Sequence, residues 1–214
     1  MSIIVHHLEY SRSTRILWLL EELGLPYELV RHPRDSKTFR APQALKDAHP
    51  LAKAPTVVVD GQVMVESGAI IEYLVEAKGG GRLAPTPGSP HRAAFLEWNH
   101  FVEGTMAMPV IMVLLSPRFG GLGEGMGPFL LEEANKLLDY ANAHLEKHEF
   151  LAGDVFSAAD INLAYVLEVA NARRLLKGRS ALRRYLDRML ARPAYKKAIE
   201  VGGPVVLPIM QDET

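Results

Sequence analysis

Residues 78–90, KGGGRLAPTPGSP, are dense in glycine and proline, and the pattern of the chain changes across them. Such a stretch opposes both helix and strand and reads as a linker. Before it, strand and helix signals alternate. After it, the apolar residues recur only at helical spacing. The prediction is therefore two domains: a small α/β domain over 1–77, the linker over 78–90, and an all-helical bundle over 91–214.

In the first part, Ile3-Ile4-Val5-His6-His7-Leu8 is rich in β-branched residues and reads as a strand. A helix is predicted from Ser13 to Leu23, with Ile16, Leu17, Leu20 and Leu23 on one face. Gly24 is placed to end it, and Pro26 prevents its continuation. Tyr27 to Val30 is a short second strand, and 36–48 reads as a loop with one irregular helix. Two β-rich runs, Thr56 to Val59 and Gln62 to Val65, flank Asp60-Gly61. That dipeptide suits a two-residue hairpin turn, whose two positions both need positive φ. Ser67 is positioned to cap a following helix through Ile70, Ile71 and Leu74.

In the second part, Ser89-Pro90 reads as a cap followed by a first-turn proline. A long helix through Phe95, Trp98, Phe101 and Val102 follows, with a kink expected at Pro109. Further helices are expected over Glu132 to Leu145, after the Ser157-Ala158-Ala159-Asp160 capping pattern, and over Leu182 to Leu190.

Composition narrows the chemistry. The chain has no cysteine, so a disulfide, a thiolate metal site and a cysteine nucleophile are excluded. Any sulfur chemistry needs a ligand's thiol. Lys plus Arg number 24 against 25 Asp plus Glu, a balance that argues against nucleic acid or an anionic membrane as partner. No apolar run reaches the roughly 20 residues that span a bilayer. The opening MSIIVHHLEY lacks the basic-then-apolar pattern of a secretory leader, so the expected compartment is the cytoplasm. The eight histidines show no metal-ligand spacing, and His6 and His7 should point to opposite faces of their strand. Gly79-Gly80-Gly81 lacks the Lys-Ser/Thr of a phosphate loop, so neither a metal nor a nucleotide is expected.

Four segments, in this order and at this spacing, resemble the glutathione transferase family over nearly the whole chain. They are Ser11-Arg12-Ser13-Thr14-Arg15 at the first strand-helix junction, Lys53-Ala54-Pro55 before the hairpin, Glu66-Ser67 after it, and Gly153-Asp154 through Ser157 to Ile161. The pattern is most similar to bacterial and fungal members with a serine in the first loop, and departs from the cysteine-containing classes. The resemblance implies a thioredoxin-like N-terminal domain, an all-α C-terminal bundle, glutathione as co-substrate, and a homodimer.

It also implies roles for particular residues. By serine's cap preference alone, Ser11 or Ser13 would simply cap the first helix. The resemblance makes Ser11 the donor to the glutathione sulfur and leaves Ser13 as the cap, with Tyr10 as a rival donor. It implies a cis bond between Ala54 and Pro55, so that the Ala54 backbone pairs with the cysteinyl part of glutathione like a short added strand. It places the γ-glutamyl carboxylate at Ser67 and the ammonium group opposite Glu66. Lys53 and Arg40 become the cations for the glycine carboxylate, with Phe39 along the same edge. Phe101, Met106, Met108 and Met112 are the candidates to wall an apolar pocket for an electrophile; ordinary core packing is the competing reading for each.

The expected activity is transfer of glutathione sulfur to a hydrophobic electrophile, or reduction of an organic hydroperoxide by the same thiolate. The main rival is a non-catalytic glutathione-binding or scaffold protein of the same fold. A specialised isomerase or dehalogenase is a second, although the Ser-Ser-Cys run of the isomerase type is missing.

Overall fold

A computed structural model of the chain describes residues 2–207. The chain divides into two compact units. One comprises residues 1–82 together with Arg192–Val205, and the other is built on Leu83–Ala191.

The first unit holds a four-stranded sheet in the order β2-β1-β3-β4, made of β1 (Ile3–Leu8), β2 (Glu28–His32), β3 (Thr56–Val59) and β4 (Gln62–Val65). β1 runs parallel to β2 and antiparallel to β3, and β4 closes a hairpin on β3. Asp60 and Gly61 take φ of 48° and 87°, as the sequence of the turn requires. Alternation along β1 sends Ile3, Val5 and His7 to one face, where Ile3 lies opposite Val59 and Val5 opposite Val57. His6 points to the other face and meets His32, with Nδ1 and Nε2 3.1 Å apart.

α1 (Ser13–Leu23) packs on β1 and α3 (Ser67–Ala77). It ends on Gly24 in the left-handed region, where the Gly24 and Leu25 amides donate to the Glu21 and Leu20 carbonyls. α2 (Gln43–Ala48) buries Leu45. The helix α9 (Pro193–Gly202) also belongs to this unit, whereas the sequence reading grouped it with the helices of 91–214. Helical periodicity predicts a helix but not which neighbour receives it. Here α9 lies on α1: Tyr195 meets Trp18 edge-on at 5.0 Å, and Arg192 forks onto both Glu22 oxygens at 2.6 and 2.9 Å.

The second unit contains α4 (Arg92–Phe101), a π-helical turn (Val102–Met106), α5 (Ala107–Leu115), a 3₁₀ turn (Ser116–Phe119), α6 (Met126–Leu145), α7 (Ala158–Ala172) and α8 (Ser180–Leu190). A π turn ends three residues before Pro109, which has no N–H to return to the carbonyl four residues back. Helical structure runs unbroken from Arg92 to Phe119, and by length and composition this stretch is apolar enough to cross a membrane, which the sequence reading did not find. Its inner residues Phe95, Trp98, Val102, Met106 and Val110 are buried in this unit and it packs on α6 and α7, as the core helix of a bundle does.

α7 is buried along nearly its whole length and begins with the expected capping box. The Asp160 carboxylate accepts from the Ser157 amide at 2.8 Å, the Leu151 amide at 3.0 Å and the Tyr185 hydroxyl at 2.7 Å. Burial nevertheless raises the Asp160 pKa above its ordinary value, against the pull of those donors.

Candidate active site at one end of the sheet

The register of the sheet gathers the predicted residues. His6 lies opposite Thr56, Thr56 opposite Val65, and Leu8 beside His32. The last residue of β1, the last of β2, the first of β3 and the last of β4 therefore share one end of the sheet. The segments leaving or entering there carry Tyr10 and Ser11, Phe39 and Arg40, Lys53 to Pro55, and Glu66 with Ser67.

In the first of these segments Ser11 is 6% exposed, and its Oγ accepts the Ser13 amide at 3.2 Å. Ser11, assigned to the sulfur by resemblance, thus accepts the first amide of α1, while Arg12 holds the cap position with no side-chain bond. Ser13 does not cap the helix. It is the first residue of α1 and wholly buried, and its Oγ lies 2.6 Å from Ser11 Oγ and 2.8 Å from His7 Nδ1. The other nitrogen of that ring, Nε2, stands 2.7 Å from the Gly202 carbonyl. A carbonyl only accepts, so His7 carries its proton on Nε2 and offers a lone pair at Nδ1. Ser13 then donates to Nδ1 and accepts from Ser11. Burial holds the His7 pKa below the ordinary imidazole value; the Gly202 carbonyl pulls the other way.

Tyr10 and Phe39 face one another with ring centroids 6.2 Å apart, both at positive φ (51° and 61°). Arg34 secures the two loops that present them. Its Nε donates to the Glu9 carbonyl at 2.8 Å, Nη1 to Phe39 at 2.9 Å and Nη2 to Tyr10 at 3.2 Å, with the guanidinium 4.5 Å from the Phe39 ring centre. Arg40 and Lys53 are exposed.

The Ala54–Pro55 peptide is cis. The Lys53 carbonyl accepts the Thr56 hydroxyl at 2.7 Å. Among the described residues, none hydrogen-bonds to the Ala54 amide or carbonyl.

Ser67 departs from its predicted capping role. It is the first residue of α3, its hydroxyl caps no amide, and Oγ instead accepts from Arg15 Nη1 at 3.2 Å. Glu66 occupies the cap position with φ 70° and ψ 110°, a conformation costly for a residue with a Cβ. Observed strain of this kind concentrates at functional sites.

Sequence reasoning missed His7, Arg15 and Arg34. Two of these left a signal: His7 falls on the buried phase of β1, after Ile3 and Val5, and Arg15 falls within a run of α1 that is buried from Ser13 to Leu20. A polar residue on a buried phase must have a partner.

The expected apolar pocket is only partly realised. Met108 and Met112, one turn apart on α5, line a cavity of about 390 Å³ with Phe119, Leu122, Met126 and Phe129. Met106 is fully buried in the core, and Phe101 packs in an aromatic cluster with Trp98 and Tyr140 at 5.2 and 5.4 Å. The π turn lies between Phe101 and Met108 and alters the helical phase between them, while Met106, two residues before Met108, falls on the opposite side of the helix. Among the described residues, no group of three or more His, Asp or Glu is arranged to hold a metal ion.

Comparison with known proteins agrees with this geometry. Residues 11–77 match the model of the glutathione S-transferase N-terminal domain, and 106–193 that of the C-terminal domain. The chain is 36% identical to glutathione S-transferase 3 of Schizosaccharomyces pombe, across 98% of this chain and 92% of that protein. Among solved structures it is similar to a glutathione S-transferase from Actinobacillus pleuropneumoniae (27% identity, TM-score 0.87, covering 97% and 98% of the two chains). It is also similar to a glutathione transferase from Methylococcus capsulatus (27%, TM-score 0.79, 94% and 98%). A thioredoxin-like sheet with its loops converging at one end, together with a helical second unit, defines the glutathione transferase class of enzymes. The chain belongs to the glutathione S-transferase family.

Proposed function

We propose that the protein binds glutathione at the converging end of the sheet and activates its thiol for attack on a hydrophobic electrophile. The observation that carries this reading is the register that brings the Ser11, Phe39–Arg40, Lys53–Pro55 and Glu66–Ser67 segments to one end. The Ala54 amide and carbonyl supply the donor and acceptor that an extended peptide pairs with. Ser67, at the N-terminus of the 11-residue helix α3, offers a hydroxyl and free amides to the γ-glutamyl carboxylate. Glu66 takes the ammonium group, and Lys53 and Arg40, with Phe39 beside them, take the glycine carboxylate.

A free thiol with a pKa of about 8.5 is only a few per cent ionised at neutral pH. Lowering that value by about two units requires roughly 2.7 kcal/mol of preference for the anion. The Ser11 hydroxyl and the positive end of α1 are the available sources. The cavity bounded by Met108 and Met112 is apolar and bordered by adaptable side chains, which suits a hydrophobic co-substrate. The same thiolate can reduce an organic hydroperoxide, and the reading includes a homodimer acting in the cytoplasm.

A non-catalytic glutathione binder is the competing reading. One observation favours it: Ser11 Oγ is engaged within the chain by the Ser13 amide and hydroxyl. Titration with glutathione by calorimetry, joined to a conjugation assay with an activated aryl halide, separates the two. Binding with conjugation above the uncatalysed rate supports the transferase. Binding without conjugation or peroxide reduction supports the binder, and absence of binding contradicts both.

A further inference from the structure

We infer that Ser11, Ser13 and His7 form a proton relay in which His7 receives the proton of the glutathione thiol, and its transfer turns the Ser11 hydroxyl toward the sulfur. The inference rests on the proposed binding of glutathione at Ser11.

The geometry is a continuous chain, with Ser11 Oγ to Ser13 Oγ at 2.6 Å, Ser13 Oγ to His7 Nδ1 at 2.8 Å, and His7 Nε2 to the Gly202 carbonyl at 2.7 Å. Ser11 is 6% exposed, His7 1%, and Ser13 fully buried, so no bulk water competes for these bonds. The Gly202 carbonyl fixes Nε2 as a donor in either protonation state. The direction of every other hydrogen in the chain follows from Nδ1 alone.

With His7 neutral, Nδ1 accepts from Ser13, Ser13 accepts from Ser11, and the Ser11 hydrogen points into the protein. Among the described residues, the other acceptor near Ser13 is the Leu8 carbonyl at 3.4 Å, too long to compete. In this state Ser11 can accept a proton from a thiol but cannot donate to a thiolate.

Transfer reverses the chain. The S–H bond breaks as a new O–H bond forms at Ser11. The original Ser11 hydrogen passes to Ser13, and the original Ser13 hydrogen to Nδ1. Three protons each move one place, no electrons are exchanged, and the products are a thiolate and an imidazolium. Ser11 now donates to the sulfur, Ser13 to Ser11, and Nδ1–H to Ser13. One event thus removes the thiol proton and creates the hydroxyl donor that holds the anion. Burial favours the neutral resting imidazole, the form that can accept, and disfavours the imidazolium, which the thiolate formed in the same step must stabilise. Arg31 and His32 on β2 and Glu9 just beyond β1 are the ionisable groups that act on it. His7 and Ser13 are positioning residues in this scheme, since neither touches the sulfur.

The test counts protons. Glutathione is titrated into the protein in two buffers of different ionisation enthalpy, which gives the protons released. The ultraviolet thiolate band gives the thiolate formed, and S-methylglutathione, which has no thiol proton, sets the baseline. The wild type is expected to form thiolate while releasing well under one proton per thiolate. Ser13→Ala, with His7 and Ser11 intact, is expected to form several-fold less thiolate and to release one proton for each. His7→Asn keeps an acceptor near the Nδ1 position but cannot hold the proton, and is expected to behave like Ser13→Ala. It serves as the second variant should the first fail to fold.

One proton released per thiolate in the wild type, unchanged in the variants, overturns the relay and leaves the transferase reading intact. Glutathione bound by the wild type with no thiolate band overturns thiol activation itself, and the relay with it.

Discussion

Arg15 Nη1 donates to Ser67 Oγ at 3.2 Å, joining the first turn of α1 to the start of α3 beneath the converging loops. Arg15 is fully buried and Ser67 is 4% exposed. Ser67→Ala removes an acceptor from a buried cation, and a lost bond to a charged group costs about 1.5–3 kcal/mol. Denaturant unfolding is expected to show a loss of that order. Calorimetry should show weaker glutathione binding, because the proposed carboxylate site loses its hydroxyl.

Arg34 holds the carbonyls of Glu9, Tyr10 and Phe39 with three different nitrogens, and so fixes the Ser11 loop against the Phe39–Arg40 loop. Lysine keeps the charge but has neither the planar fork nor its reach to three acceptors. Arg34→Lys is expected to raise KM for glutathione several-fold while costing only about 1–2 kcal/mol of stability, since the site is partly solvated. An unchanged KM would show that the clamp does not position the site.

A Cβ built on Gly202 lies 2.6 Å from Leu17 Cδ1 and 3.1 Å from His7 Cε1. The backbone approaches that closely because its carbonyl must reach Nε2. Gly202→Ala therefore overpacks the α1–α9 contact, at an expected cost of about 1–3 kcal/mol. It should also displace the His7 ring, which chemical-shift changes at Ser13 and Ser11 would report.

His6, His7 and His32 all have pKa values lowered from the ordinary 6.5, with burial the leading cause. As pH falls below 6.5, the unfolded chain takes up protons that the folded chain refuses. Stability is then full above 6.5 and declines below it, until the folded state protonates as well. The urea midpoint is expected to fall with acidification through that window. His32→Gln, which removes one member of the stacked His6–His32 pair, should flatten the decline.

Much of the first unit was legible because its signals are local. The hairpin followed from Asp60-Gly61 between β-branched runs, and the end of α1 from Gly24. The converging end of the sheet is different in kind. It depends on β1 pairing in parallel with β2 and antiparallel with β3, and neither pairing is written in any one segment. The capping assignments for Ser13 and Ser67 failed for a related reason. Serine's preference for the cap is a short-range rule, and at both positions a longer-range partner, His7 or Arg15, takes the hydroxyl instead. Placement of α9 on α1 depends on Trp18, Glu22 and Leu17 meeting residues 170 or more positions away, beyond any reading of periodicity. The change of helical phase between Phe101 and Met108 comes from the π turn, which a regular helical template does not contain.

Formation of thiolate by bound glutathione, followed by its ultraviolet band in the wild type and in Ser11→Ala, decides whether the Ser11 hydroxyl ionises the sulfur. Thiolate is expected at neutral pH in the wild type, with similar glutathione affinity but little thiolate in Ser11→Ala. Equal thiolate in the two proteins would contradict that role for Ser11, because the sulfur would then owe its ionisation to some other group.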